Sequence, residues 1–217
     1  MFTAVLFDLI GTTVKEADPD VFTNSFEKAF AEHNVTISIS DYRKHRGKDK
    51  KEIIEKVLTS QQLSLSLVED IYASFKKNIM NDLNKFQAND GANDIFAFLK
   101  ERNIKTGIGT GLEREILESI IKHLDWDHSM FDYIGIAHET GRNRPYPDMI
   151  FDMMTKLSLS DTGQFLKVGD TVADIEEGKN AKVMTAVILS GTQSKEDLLN
   201  AGPDYVLHSL PDIKKIL

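Results

Sequence analysis

Short apolar runs alternate with segments of helical spacing along most of the chain. Six of these runs predict buried β-strands: Val5–Phe7, Thr106–Ile108, Tyr133–Ala137, Phe165–Val168, Ala186–Leu189 and Tyr205–Leu207. From about Gly91 onward the segments between them repeat apolar residues at helical spacing, as at Ile95, Phe98 and Leu99. Alternating strands and helices predict an α/β fold, a parallel sheet with helices on both faces.

The stretch of residues 15–87 breaks this rhythm, and we predict that it is all-helical. Apolar residues recur there every four positions in two places, at Phe22, Phe26 and Phe30, and at Leu67, Ile71, Phe75 and Ile79. The chain therefore divides into two predicted domains. The core comprises residues 1–14 and 88–217, and a helical cap of residues 15–87 is inserted after the first strand.

Composition limits the partners that the protein can have. The 34 acidic and 26 basic side chains give a formal charge of −8, which repels nucleic acid and acidic membrane surfaces. No apolar run approaches the roughly 20 residues of a membrane span, so we expect neither kind of partner. The chain has no cysteine, which removes disulfides, thiolate nucleophiles and cysteine metal sites. This composition is compatible with the cytoplasm, where we place the protein.

Polar residues follow the predicted strands at the edge where open parallel sheets bind ligands. Asp8 follows the first strand, and the chain turns at Thr12. Thr110 and Gly111 follow the second strand and precede a helix predicted from Leu112. A hydroxyl and free N–H groups at a helix start bind anions, and a glycine allows a close backbone approach.

An arginine and two further carboxylates follow the next strands. Arg144 is placed to reach a phosphoryl oxygen and the Asp8 carboxylate together. Asp170 and Asp174 share one short loop, which suits a hard cation such as Mg²⁺. Taken alone, each residue has an ordinary explanation as a helix cap, a turn or a solvated arginine. Together they supply a carboxylate that can attack phosphorus, positive charge that offsets the repulsion between two anions, and N–H donors that hold the transferring group.

Four segments, in this order, resemble the four motifs of the haloacid dehalogenase (HAD) superfamily. They are Asp8-x-x-Gly11-Thr12, Thr110-Gly111, Arg144-Pro145-x-Pro147 and Gly169-Asp170-x-x-x-Asp174. The resemblance spans nearly the whole chain. It implies a Rossmann-like core with an early helical cap, acting on a small anionic phosphorylated or phosphonylated metabolite, and it allows a homodimer.

The resemblance also implies roles for individual residues. Asp8 would be the nucleophile, Thr110 would bind the phosphoryl group, and Arg144 would replace the usual lysine or arginine. Thr12 and Gly111 belong to the same motifs and would contact the substrate.

The implied cofactor is Mg²⁺, held by Asp8, the Ile10 carbonyl and Asp170, with Asp174 beside it. Phosphatases of the superfamily carry a second Asp two residues after the nucleophile, which protonates the leaving alkoxide. Ile10 stands there in this chain, and it has no proton to give. The loss of a general acid costs about 10²–10⁴ in rate.

The phosphonoacetaldehyde hydrolase (phosphonatase) branch works without that acid. Its members form a Schiff base through a lysine of the cap that stands three residues after a glycine, as Lys50 stands three residues after Gly47. Other strings also resemble this branch, namely Thr110-Gly111-x-x-Arg114-Glu115, Arg144-Pro145-Tyr146-Pro147 and Lys167-Val168-Gly169-Asp170-Thr171-Val172.

The spacing around Lys50 supports this role independently. Asp49 and Glu52 form a capping-box pattern, which predicts a helix that begins at Lys50. Lys50 then shares an apolar face with Ile53, Ile54 and Val57. The pairs Lys48–Glu52 and Lys51–Glu55 suit a solvated face. Arg46 and Lys48 would lower the pKa of Lys50, as imine formation requires. The ordinary alternative is a first-turn lysine that extends to water.

Four functions stay open at this point. The first is a phosphonate hydrolase that forms an imine at Lys50. The second is a phosphoglycolate phosphatase-like enzyme for small phosphate esters, which either have a good leaving group or receive a proton from an acid of the cap. The third is a catalytically weak phosphate-binding protein. The fourth is a dehalogenase proper, which needs no metal, and Asp170 and Asp174 argue against it.

Overall fold

The computed structural model describes residues 1–16, 20–38, 42, 49–191 and 193–217. It contains eight strands in this part of the chain: β1 Ala4–Asp8, β2 Val14–Glu16, β3 Phe86–Ala88, β4 Lys105–Thr110, β5 Tyr133–Ile136, β6 Phe165–Gly169, β7 Met184–Ile188 and β8 Tyr205–Leu207. Six of them form one parallel sheet in the order β5-β4-β1-β6-β7-β8. All six predicted strands are therefore confirmed, with ends shifted by one or two residues.

The helices of the described part are α1 Val21–Glu32, α2 Lys50–Ser60, α3 Val68–Asn81, α4 Ala92–Glu101, α5 Arg114–His123, α6 Ala137–Thr140, α7 Asp148–Lys156, α8 Val172–Ala181 and α9 Lys195–Asn200. Two predicted bounds were wrong. Ala137 begins α6 instead of ending a strand, and α5 begins at Arg114, two residues after Leu112. None of these helices is long and apolar enough to cross a membrane.

Alternate side chains of β1 pack against helices on opposite faces of the sheet. Val5 and Phe7 belong to a buried cluster with residues of α4 and α5. Leu6 belongs to another cluster with Met149 and Met153 of α7. Because β1 is covered on both faces, all five of its residues are buried, which explains its unbroken apolar run.

The inserted segment forms an aromatic cluster of its own between α1 and α3. The Phe26 ring centroid lies 4.6 Å from that of Phe75 and 4.7 Å from that of Tyr42. The predicted four-residue spacing of apolar residues thus marks the buried faces of both helices.

The ends of this segment differ from the all-helical prediction. β2 pairs antiparallel with β3, so the chain leaves the core and returns to it through two adjacent short strands. Val14 lies opposite Ala88, and Glu16 lies opposite Phe86. Strand pairing satisfies the backbone N–H and C=O groups at the crossing, where two separate helix ends would leave several unpaired. The division into a core of residues 1–14 and 88–217 and a cap of residues 15–87 stays a prediction.

Candidate active site

The sheet register brings the predicted site residues to one edge. β1 lies between β4 and β6, with Asp8 opposite Gly109 and Phe7 opposite Val168. The carboxyl ends of these three strands therefore lie side by side. Thr110 is the last residue of β4, and Asp170 directly follows β6.

Arg144 reaches into this edge from the loop before α7. Its Nη1 donates to Asp8 Oδ1 at 2.6 Å, and its Nη2 donates to the Gly109 carbonyl at 3.0 Å. The same Nη1 lies 3.2 Å from Asp174 Oδ1. Arg144 and Asp8 are both buried, so this ion pair is shielded from water. The predicted contact of Arg144 with the Asp8 carboxylate is present in the structure.

Three carboxylates come together beside Arg144. Asp8, Asp170 and Asp174 each offer an oxygen, and these three oxygens lie within 4.8 Å of one another. Opposite ligands of a Mg²⁺ ion stand about 4.2 Å apart, since each Mg–O bond is about 2.1 Å long. The spacing and the oxygen donors therefore fit a small divalent cation.

Two glycines leave the space that Asp170 occupies. A Cβ at Gly11 would lie 2.2 Å from Asp170 Oδ2, and a Cβ at Gly191 would lie 2.3 Å from the same atom. Gly11 also has a φ of +93°, which side chains rarely adopt. Sequence reasoning missed Gly191, because its distance in the chain gives no sign that it packs on Asp170.

The environment shifts the pKa of three buried charged groups, those of Asp8, Asp174 and Arg144. Burial raises the pKa of Asp8, and the nearby Arg144 guanidinium only partly offsets this effect. Burial also acts to raise the pKa of Asp174, but Arg144 and Lys167 outweigh it and hold this pKa below its usual range. Burial acts to lower the pKa of Arg144, but Asp174, Asp8 and Glu177 together raise it. Arg144 and Asp174 are therefore charged at neutral pH.

A cavity of about 40 Å³ opens over these residues. Residues of the sheet edge and of the inserted segment line it together: Asp8, Ile10, Phe22, Tyr42, Lys50, Thr110, Gly111, Leu112, Arg144 and Thr171. A second cavity of about 150 Å³ shares Lys50 and Gly111 with it and reaches Tyr72, Glu113 and His138. A ligand that places its phosphorus near Asp8 would therefore also meet Lys50.

The sequence matches known proteins along nearly its whole length. The family model for haloacid dehalogenase-like hydrolases matches residues 5–188. The chain belongs to this family. It is 26% identical to a phosphonoacetaldehyde hydrolase of Bacteroides fragilis, in an alignment that covers 98% of this chain and 94% of that one.

Solved structures share the fold of this HAD-like hydrolase. A phosphonoacetaldehyde hydrolase-like protein from Oleispira antarctica superposes with a TM-score of 0.86 at 20% identity, covering 99% of this chain and 91% of that one. A predicted phosphoglycolate phosphatase from Haemophilus somnus gives 0.83 at 20% identity, with 99% and 97% covered. The match confirms the expected Rossmann-like core. HAD-like hydrolases generally use a divalent metal, and the buried aspartate cluster fits one.

Lys50 of the HAD-like hydrolase is buried, as its predicted helical face requires. α2 begins at Lys50, and the Asp49 side chain accepts a hydrogen bond from the Glu52 backbone N–H at 2.9 Å. Ile53 and Ile54 on the same face are also buried.

The charged neighbours of Lys50 differ in part from prediction. Lys51 pairs with Glu69 of α3 at 2.8 Å instead of Glu55, because the packing of α2 on α3 brings Glu69 closer. Glu52 pairs with Lys56 at 2.6 Å. Arg46, Gly47 and Lys48 lie outside the described residues.

Two threonines of the motifs make ordinary local contacts. Thr110 Oγ1 accepts a hydrogen bond from the Leu112 backbone N–H at 3.1 Å. Thr110 also lines the 40 Å³ cavity over Asp8. Thr12 Oγ1 donates to Asp170 Oδ1 at 3.3 Å and is not among the residues that line the cavity. Thr12 thus contacts a carboxylate of the cation site, whereas its predicted contact with substrate stays a prediction.

Lys167 and Glu177 are two buried charged residues to which sequence reasoning assigned no role. Lys167 Nζ lies 2.9 Å from Asp174 Oδ1 and 3.2 Å from Glu177 Oε2. The described part of the sheet edge therefore contains four buried carboxylates, those of Asp8, Asp170, Asp174 and Glu177, and two buried cations, Arg144 and Lys167, while Lys50 is a further buried lysine on α2. With the six groups of the sheet edge ionised, two net negative charges remain, which is the charge that a divalent cation neutralises.

Proposed function

We propose that this HAD-like hydrolase cleaves a small phosphonate in the manner of a phosphonatase, with Mg²⁺ as its cofactor. One observation carries the proposal: Lys50 from the cap lines the same small cavity as Asp8 from the core. Ile10, which cannot donate a proton, lines that cavity as well. An amine beside a phosphorus-attacking carboxylate suits a substrate that carries both a carbonyl and a phosphonate group.

The reaction follows from the chemistry of these two side chains. Lys50 reacts as the neutral amine with the substrate carbonyl, which releases water and forms an imine. Asp8 then attacks phosphorus, and the C–P bond breaks with its electron pair moving into the imine to give an enamine. Protonation and hydrolysis release the carbonyl product from Lys50. A water molecule then attacks the phospho-aspartate, which releases phosphate and restores Asp8.

Other residues of the site stabilise the charges in this reaction. Arg144 already holds the Asp8 carboxylate, and its guanidinium can also bind a phosphoryl oxygen. The Thr110 hydroxyl faces the cavity and can donate to a second phosphoryl oxygen. A Mg²⁺ ion, held by Asp8 and Asp170 with Asp174 beside them, would reduce the repulsion between the carboxylate and the anionic substrate.

The size of the cavities supports a small substrate. The catalytic cavity measures about 40 Å³ and the adjoining one about 150 Å³. This space suits a phosphonyl group with a few further heavy atoms. The curated relative from Bacteroides fragilis is named a phosphonoacetaldehyde hydrolase, so phosphonoacetaldehyde is the first substrate to test.

Borohydride trapping tests the imine directly. The protein is incubated with phosphonoacetaldehyde and borohydride, and the modified residue is identified by mass spectrometry. We expect one reduced adduct on Lys50 and a Lys50→Ala variant without phosphonatase activity. Lys51→Ala is the matched control, because its amine is tied to Glu69. Near wild-type phosphonatase activity in Lys50→Ala would exclude the imine mechanism.

A phosphatase for small phosphate esters is the second candidate. Asp8, Thr110 and Arg144 would serve P–O cleavage equally well. His138 lines the second cavity beside Lys50 and Gly111, on the side where a leaving group would lie, and is a candidate proton donor. A Mg²⁺-dependent assay of phosphonoacetaldehyde beside a panel of phosphate esters separates the two candidates. A cytoplasmic location and a homodimer stay predictions.

A further inference from the structure

We infer that Lys167 and Glu177 are positioning residues that set the net charge of the cation site and thereby its preference for a divalent ion. The inference rests on the proposed cation site but concerns two residues outside the reaction itself. Neither residue lines the catalytic cavity, so neither contacts the substrate.

The two residues extend the ion pairs of the site into the protein interior. Arg144 Nε lies 3.2 Å from Glu177 Oε2, whereas a different nitrogen, Nη1, contacts Asp8. Lys167 Nζ lies near the same Glu177 oxygen and near Asp174 Oδ1. The side chains of Lys167 and Glu177 are only 1% exposed. Water therefore screens these charges little.

The contacts of this pair are ion pairs between buried groups. Lys167 Nζ, Arg144 Nε and Glu177 Oε2 each lie about 3 Å from an opposite charge. Each residue therefore brings one charge to the site, Lys167 a positive one and Glu177 a negative one.

The fold makes room for this arrangement. Lys167 belongs to β6, the strand that leads into the loop of Asp170, and Glu177 belongs to α8, the helix that begins beside Asp174. Gly178 of α8 faces β6, and a Cβ there would lie 2.4 Å from Thr185 Cγ2 and 3.3 Å from Lys167 Cβ. A larger residue at this position would push α8 away from the buried lysine.

The charge count gives opposite expectations for the two residues. Glu177→Gln leaves one net negative charge in the site and should weaken cation binding. Lys167→Met leaves three negative charges and should tighten it, most strongly for a trivalent ion. The double variant restores two negative charges. A purely structural role predicts instead that both single variants weaken binding and that the double variant is at least as weak.

Metal titrations of the whole protein test these predicted directions of change in cation affinity. Mn²⁺ affinity is measured by calorimetry and Tb³⁺ affinity by luminescence, both without substrate. We expect a shift of about tenfold in Mn²⁺ affinity, downward for Glu177→Gln and upward for Lys167→Met, and a double variant within about threefold of wild type. Glu176→Gln removes the same charge from an exposed position of the same helix and should change affinity less than twofold.

The outcomes separate the inference from the function on which it rests. If the wild-type protein binds no divalent ion, the proposed metal dependence fails and the inference fails with it. If the wild type binds Mn²⁺ but both single variants shift in the same direction, only the inference fails. Circular dichroism and thermal unfolding confirm that each variant is folded. If Lys167→Met does not fold, the double variant is compared with Glu177→Gln. A higher Mn²⁺ affinity in the double variant supports the inference, and an equal or lower affinity contradicts it.

Discussion

Arg144 Nη1 lies 2.6 Å from Asp8 Oδ1, although the two residues are 136 positions apart in the sequence. Both side chains are buried, and the same guanidinium also contacts Asp174 and Glu177. The proposed nucleophile is therefore held by a cation that the neighbouring carboxylates keep in place. This single contact links the reaction chemistry to the stability of the protein.

Loss of Arg144 should destabilise the fold as well as stop the reaction. Arg144→Met would leave Asp8, Asp174 and Glu177 buried without their main counter-charge. Breaking a buried ion pair from one side costs about 3–5 kcal/mol, so we expect a loss of this size in the free energy of unfolding, measured with urea. Arg142→Met is the control, because Arg142 pairs with Asp148 at the exposed surface and should cost about 1 kcal/mol or less. Equal losses in the two variants would contradict the central role of Arg144.

Divalent cations should stabilise the protein against heat. The six charged groups at the sheet edge carry two net negative charges when all are ionised, and a cation that binds only the folded state raises the free energy of unfolding. At a hundred times its Kd, such an ion contributes about 2.7 kcal/mol. For a protein of this size we expect Tm to rise by about 5–10 °C with Mg²⁺ and to fall again with a chelator. The Asp170→Asn variant should show a much smaller rise, and an equal rise would place the ion elsewhere.

Gly191→Ala should impair cation binding without touching a catalytic group. The new Cβ would lie 2.3 Å from Asp170 Oδ2, so the carboxylate has to move from its place in the aspartate cluster. We expect Mg²⁺ affinity, measured by calorimetry, to fall at least about tenfold. Gly163→Ala is the matched control, because its Cβ would meet only Asp161 at 3.2 Å in an exposed turn. Unchanged affinity in Gly191→Ala would show that the site tolerates a different position of Asp170.

Ile10→Asp should confer phosphatase activity. Ile10 lines the catalytic cavity two residues after the nucleophile, where a carboxylic acid would protonate a leaving alkoxide. General acid catalysis contributes about 10²–10⁴ in rate, and we expect kcat/KM for short alkyl phosphates to rise about 10²-fold. Ile10→Asn has a similar size and no acidic proton, so it should show no such rise. Equal gains in the two variants would mean that Ile10 blocks the cavity sterically and that the missing acid is unimportant.

Local sequence patterns determined most of the secondary structure and the edge at which the site lies. The apolar runs predicted all six strands of the main sheet, because strands that are buried on both faces are mostly apolar. The Asp49 cap fixed the start of α2 and so turned Lys50 toward the interior. Asp8, Thr110 and Asp170 could be assigned to one edge because the strands of a parallel sheet share a direction.

The tertiary structure alone decided which charges meet. Lys167 belongs to a strand that was predicted to be buried, but nothing in the local sequence predicts that it lies beside Glu177. The contacts of Arg144 with Asp8, and of Gly191 with Asp170, join segments that are far apart in the chain. Periodicity and helix caps act over a few residues, whereas these contacts depend on strand order and helix packing. The sequence alone thus predicted that three aspartates and Arg144 lie at this edge, and folding determined which further charges join them.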